Sequence, residues 1–232
     1  MSFFFRHIID SLLKDSFTLI KSIWTKYNEL VLNINTIPDF PLYSAVDADG
    51  AHLRGEFSDK SKHNDNIRYE SPDYWCIRKV AKILRASDEA STVFYDLGSG
   101  KGRILCVMAQ NPFKKVVGVE LFEKLCEIAK QNAIRMRGRK APIEVICGDA
   151  ALTDLSEGTV YFMFHPFGPD TMRDVIMNIK NSLLRNPLRI TIVYYNAIHE
   201  DILKSCEWLQ MFNLFYTATG RRVSFWRNHS VS

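Results

Sequence analysis

Asp96-Leu97-Gly98-Ser99-Gly100-Lys101-Gly102-Arg103 sets a carboxylate two residues ahead of three glycines at alternate positions. An apolar run from Val93 leads into this loop, and a helical pattern starting at Ile104 leaves it. Glycines at such a junction let the backbone turn sharply and approach a ligand closely, and the start of the next helix offers free N–H groups. Two common nucleotide loops do not fit. Counted from Gly98, Arg103 stands where a Gly-x-Gly-x-x-Gly dinucleotide fingerprint needs its last glycine, and the Gly-Lys-Ser/Thr of a P-loop is missing. A carboxylate at Asp96 would repel a diphosphate but would suit an ammonium or sulfonium cation. Glu120, Asp149 with Ala150, and His165-Pro166-Phe167 stand at or just beyond the ends of later apolar runs, where a strand would deliver them to the same edge as the loop.

Positioning these residues requires an alternating architecture, and the chain reads that way. Apolar runs at Thr92–Tyr95, Val116–Val119, Ile143–Ile146, Val160–Phe164 and Ile190–Tyr194 are rich in Val, Ile and aromatics. Helical patterns at Ile104–Gln110, Glu123–Arg137, Asp170–Leu184 and Ile198–Trp208 separate most of them. Strands alternating with helices imply a doubly wound, mostly parallel α/β sheet covered on both faces. Leu214–Thr219, Gly220 and Arg222–Trp226 read as a C-terminal antiparallel β-hairpin at the sheet edge. A helix is expected to begin after Ser71-Pro72-Asp73, with Ser71 as its cap and Pro72 in the first turn. Ahead of this, the first thirty residues have the i, i+3, i+4 pattern of one amphipathic helix, ended by Pro38 and Pro41. Asp47 to Asn66 reads as an exposed connector or lid. Residues 1–66 are therefore expected to be an N-terminal helix and connector, and residues 67–232 the main domain.

Asp96-x-Gly98-x-Gly100-x-Gly102 resembles motif I of the class I, Rossmann-like S-adenosylmethionine-dependent methyltransferases, and the resemblance runs from Tyr69 to about Arg227. It implies S-adenosylmethionine as cofactor, held by Asp96, Gly98, Gly100 and Gly102. It also implies that Glu120, eighteen residues after Gly102, takes both ribose hydroxyls, as a bidentate acceptor can. Asp149 would meet the adenine amino group, and the Ala150 backbone the ring. His165-Pro166-Phe167 falls on the family's motif IV, which faces the methyl group. It keeps one proline and an aromatic but lacks the second proline of the amino-directed nucleic-acid enzymes. Tyr69-Glu70-Ser71-Pro72 resembles a loop of some lysine methyltransferases, with Glu70 in place of a proline; a helix-capping loop explains the same residues. The function implied is methyl transfer to a nitrogen, with a protein lysine or similar amine preferred. A nucleic-acid or small-molecule acceptor, and a non-catalytic binding scaffold, are the alternatives.

Composition sets the outer bounds. The 232 residues are 47% hydrophobic and 24% charged, which excludes a disordered chain, a collagen-like repeat and a polytopic membrane protein. A formal charge of +4 permits an anionic partner without requiring one. The basic run Arg135–Lys140 suits either a phosphate contact or the solvated end of a helix. Five scattered cysteines form no Cys-x-x-Cys pair, so neither a zinc site nor a disulfide framework is expected, and the cytoplasm is the expected compartment. The N-terminal helix could dock on the domain, on a partner or on a membrane surface through residues 3–27. Its mixed charges favour the domain or a partner, and nothing fixes an oligomeric state.

Overall fold

A computed structural model describes residues 2–36, 71–86 and 93–229, with side chains from residue 16 onward. The connector expected over Asp47–Asn66, the breaks at Pro38 and Pro41, and Tyr69-Glu70 lie outside the described residues. In chain order the elements are α1 (Ser2–Leu32), α2 (Tyr74–Ala86), β1 (Val93–Leu97), α3 (Arg103–Met108), β2 (Lys115–Glu120), α4 (Glu123–Arg135), β3 (Ile143–Cys147), β4 (Val160–Phe164), α5 (Pro169–Arg185), β5 (Thr191–Tyr195), α6 (Glu200–Lys204), β6 (Leu209–Tyr216) and β7 (Arg222–Asn228).

The strands form one sheet of seven in the order β3-β2-β1-β4-β5-β7-β6. The first five run parallel, and β7 inserts antiparallel between β5 and β6. Every residue of β1 and β5 is buried, because both faces of the sheet are covered. Alternation then divides their side chains between two cores. Phe94, Val193 and Tyr195 pack with α2 and α3 on one face. Tyr95, Leu97, Ile192 and Tyr194 pack with α5 and α6 on the other. Chain order reverses between β1 and β4, which opens a crevice at their carboxyl ends, where ligands of such sheets bind.

Three details differ from the sequence expectation. The cap of α2 is Asp73, whose Oδ1 accepts the Cys76 N–H at 2.9 Å, while Ser71 donates its hydroxyl to the Thr36 carbonyl at 3.1 Å. Asp73 sits three residues before Cys76, where a side-chain oxygen can reach an orphan N–H, and Ser71 is too far ahead. The helix expected to run to Trp208 stops at Lys204, and β6 starts at Leu209 rather than Leu214. β6 is an edge strand with mostly exposed side chains, so its alternation is weak, and pairing with β7 decides its extent. Finally, α1 ends before either proline. Asn33 turns left-handed (φ 56°), Asn33 N–H donates to Leu30 O at 3.2 Å and Ile34 N–H to Glu29 O at 3.0 Å. This is a Schellman stop with Asn in the glycine position.

Among the described side chains of α1, those that meet the domain lie at this end. Asn28, Glu29, Leu32, Ile34 and Thr36 are buried, whereas the side chains from Ser16 to Tyr27 are exposed or, at Thr25, half-buried. No helix among the described residues is long and apolar enough to cross a membrane.

Candidate active site

The glycine loop turns off the end of β1 and is pinned to β2. Gly98 and Ser99 donate their N–H groups to the Val119 carbonyl at 2.8 and 3.1 Å. Gly98, Gly100 and Gly102 all lie in the left-handed region (φ 83°, 53° and 80°). Gly98 has a second constraint: a Cβ there would stand 2.4 Å from Pro166 Cβ, so the loop after β1 and the loop after β4 touch across the crevice. The two motifs singled out in the sequence are thus one structure.

Glu120 ends β2 and is nearly fully buried. Its Oε2 accepts the Gly100 N–H at 2.7 Å and its Oε1 the Phe122 N–H at 3.0 Å. The carboxylate therefore shapes the glycine loop, and each oxygen keeps a lone pair for a ligand hydroxyl. Burial raises its pKa, and the Phe122 and Gly100 N–H groups pull against that. Asp149 follows β3; its Oδ1 accepts the Ala151 N–H at 2.8 Å, and Ala150 is anchored through its carbonyl by Asn178 at 3.1 Å.

Asp96 stands in an unusual environment. It is fully buried, and neither carboxylate oxygen has a hydrogen-bond partner; the same is true of Ser99 Oγ and Asp149 Oδ2. Buried polar atoms are nearly always paired, so these mark a place built for groups from outside the protein. Ser99, Glu120, Asp149, Ala150, His165, Pro166 and Phe167 line one cleft, with Ser71, Pro72 and Arg103 on its wall. A ligand bringing a cation, two hydroxyls and an amino group would satisfy the free acceptors, which is the inventory of S-adenosylmethionine.

The carboxyl of Asp96 is held well above the usual carboxylate range, first by burial and then by Glu120. The folded protein thus binds this proton more tightly than the unfolded chain, so stability falls as pH rises from the ordinary carboxylate range towards the folded value. In ligand-free protein, Asp96→Asn is expected to add about 1 kcal/mol at neutral pH, and less under mild acid. It should at the same time lose the stabilisation given by the cofactor. Urea unfolding at the two pH values checks this, and a variant less stable than wild type at neutral pH would contradict it.

At the other end of the cleft, His165 follows β4 with a left-handed backbone (φ 41°). Its Nδ1 lies 3.1 Å from the Tyr194 hydroxyl, which also accepts the His199 N–H at 3.4 Å. The His165 and His199 rings are 5.1 Å apart between centroids. Burial, and secondarily His199, lowers the His165 pKa, which keeps the ring neutral at neutral pH. Phe167 borders the cleft, but its side chain is buried in the core with α5.

Sequence reasoning did not find Tyr194 and His199, because nothing in a strand tyrosine or a loop histidine marks them before β5 is set beside β4. It gave Arg103 no role beyond the pattern of the glycine loop. In the structure Arg103 is buried and donates to Thr36 Oγ1 (2.8 Å), the Pro72 carbonyl (2.9 Å) and Glu29 (3.4 Å). It thereby ties the end of α1 and the Ser71-Pro72 segment to the first residue of α3.

Residues 94–186 match the family described as "Methyltransferase domain". The segment spans the glycine loop, Glu120, Asp149 and His165. Over this segment the chain is similar to a methyltransferase domain. A protein-lysine N-methyltransferase from Saccharolobus islandicus (strain REY15A) is 34% identical over 89 residues, which are 38% of this chain and 53% of that protein; the chain thus spans about half of that relative's length. An RNA methyltransferase from Salinibacter ruber, solved with S-adenosyl-L-homocysteine, superposes with TM-score 0.51 at 22% identity over 69% of this chain and 94% of that one. A candidate RNA methyltransferase from Pyrococcus horikoshii gives TM-score 0.53 at 14% identity over 78% of this chain and 98% of that one. These two likenesses are of fold.

Proposed function

We propose that the protein transfers a methyl group from S-adenosylmethionine to an amine nitrogen, with a protein lysine as the acceptor, in the cytoplasm. The observation that carries the reading is the set of unpartnered buried oxygens on Ser99 and Asp149, which line the same cleft as His165, together with those of Asp96 on the strand that leads into the glycine loop. The bound cofactor supplies an electrophilic methyl group. The protein must hold the amine in line with the sulfur–carbon bond, keep it unprotonated and receive its proton. His165 serves the last two needs: its ring is neutral, and the Tyr194 hydroxyl at 3.1 Å fixes its orientation. The lysine acceptor is supported by the Saccharolobus relative.

His165→Ala is expected to cut turnover by about 100-fold or more, while the thermal shift produced by cofactor stays. Tyr194→Phe, which touches the ring without its hydrogen bond, should give a smaller loss in the same direction. Unchanged turnover in His165→Ala would remove the residue from the chemistry.

The deciding experiment is thermal unfolding with S-adenosylmethionine, S-adenosylhomocysteine and NAD in separate samples, followed by labelled-methyl transfer to peptide libraries and to RNA. Ligand at 100 times its dissociation constant adds about 2.7 kcal/mol. A shift with NAD alone would overturn the reading. A nucleic-acid acceptor is the second reading, favoured by Arg221, whose guanidinium lies 5.5 Å from the Phe164 ring at the cleft. Label on RNA, with affinity falling steeply as salt rises, would establish it in place of lysine.

A further inference from the structure

Helix α1 is attached to the domain by the wrong side for an ordinary docked helix. The residues that bury themselves in its last turns are Asn28, Glu29 and Leu32, and Glu29 is held inward by Arg103, Thr36 and Tyr74. The apolar side is turned away from the domain. Phe17, Leu19, Ile20, Ile23, Trp24 and Tyr27 are 47–64% exposed, and Leu30 and Val31 continue the surface at 74% and 46%. At 3.6 residues per turn these positions cover an arc of roughly 160°.

We infer that this face of α1 lies on an anionic membrane surface. Four observations select that occupant. The arc is far wider than the narrow a/d seam that a two-helix coiled coil buries, so a second α1 would leave much of it uncovered. The stretch from Ser16 to Tyr27 contains Lys21 and Lys26 and no acidic residue, and on the helical wheel the two lysines fall on opposite borders of the apolar arc. Side chains placed there can sink their methylene stems and keep their ammonium groups at the headgroup level. Asp15 stands one residue before this stretch, and Glu29, the carboxylate that follows it, is withdrawn into the domain, so Glu29 does not repel anionic lipid. Trp24 and Tyr27, stacked at 5.7 Å, are the aromatic types that favour the boundary between hydrocarbon and water. With no helix among the described residues able to cross a bilayer, the contact is with one surface.

The test is co-sedimentation of the full chain with vesicles of phosphatidylcholine, with and without phosphatidylglycerol, beside sedimentation velocity without lipid. Binding to the anionic vesicles is expected. Ile20→Glu with Ile23→Glu should abolish it, since both positions are exposed and the cofactor-induced thermal shift will report that the variant is folded. Lys21→Gln with Lys26→Gln should weaken binding to anionic vesicles by about 30-fold and leave any binding to neutral vesicles unchanged. A chain that stays in the supernatant overturns the inference. So does binding that survives the glutamate pair. A lipid-independent dimer that the glutamate pair dissociates would instead assign the face to a second copy of the chain. None of these results depends on which molecule accepts the methyl group.

Discussion

An Arg103→Met variant is expected to unfold about 6–12 °C below the wild type. Arg103 is the first residue of α3, almost fully buried, and its guanidinium packs over the Tyr74 ring with 4.8 Å to the centroid. Its three donor contacts reach Thr36, Pro72 and Glu29, so one side chain closes the joint between α1, the segment before α2 and the glycine loop. Methionine keeps much of the volume but removes every one of these donors. Breaking a buried ion pair costs about 3–5 kcal/mol, because the remaining charge stays in a poorly solvated place. Glu29 keeps the Tyr74 hydroxyl at 2.6 Å and the Thr36 N–H at 2.7 Å, which points to the lower end, about 3 kcal/mol. Burial holds the Tyr74 phenol protonated, so that donor persists. Glu29→Gln in the same chain should restore part of the loss by discharging the orphaned carboxylate. Calorimetry of the two variants checks this; a melting temperature within a degree or two of wild type would show that the pair contributes nothing net.

The second large effect is expected at Gly98. Gly98→Ala must place a Cβ where the backbone is left-handed and where Pro166 Cβ already stands at 2.4 Å. Left-handed backbone costs a residue with a Cβ about 1–2 kcal/mol, and forced overpacking a further 1–3 kcal/mol. The loop relieves both by moving away from β4. That movement also breaks the 2.8 Å hydrogen bond from Gly98 to Val119, pulls on the one from Ser99 to the same carbonyl and shifts Gly100 from its place against Glu120. The variant should therefore melt lower, and the stabilisation by S-adenosylmethionine should disappear with it. Thermal unfolding with and without cofactor separates the two effects. A full cofactor shift in Gly98→Ala would show that the contact with Pro166 does not shape the binding loop.

The sequence by itself determined the alternation of strands and helices, the C-terminal hairpin and the identity of the glycine loop. Those features are written in local periodicity and in residues with special backbone freedom, which act within a few positions of chain. The residues proposed to hold the cofactor share one edge for the same reason: Asp96, Glu120 and Asp149 stand at or just after strand ends, and parallel strands deliver such residues to one edge of a sheet. Boundaries that depend on a partner were not legible. β6 is a strand because β7 pairs with it, and α2 takes Asp73 as its cap because the backbone brings that carboxylate to the Cys76 N–H. Only the tertiary structure put Tyr194 and His199 beside His165, since the contact crosses from β5 and the loop beyond it to the end of β4. Only the tertiary structure showed that Arg103 and Glu29, 74 positions apart, meet inside the protein and thereby turn the apolar face of α1 outward. Spacing along a chain encodes which face a side chain occupies. What that face meets is set by the packing of elements far apart in sequence, and no local pattern contains it.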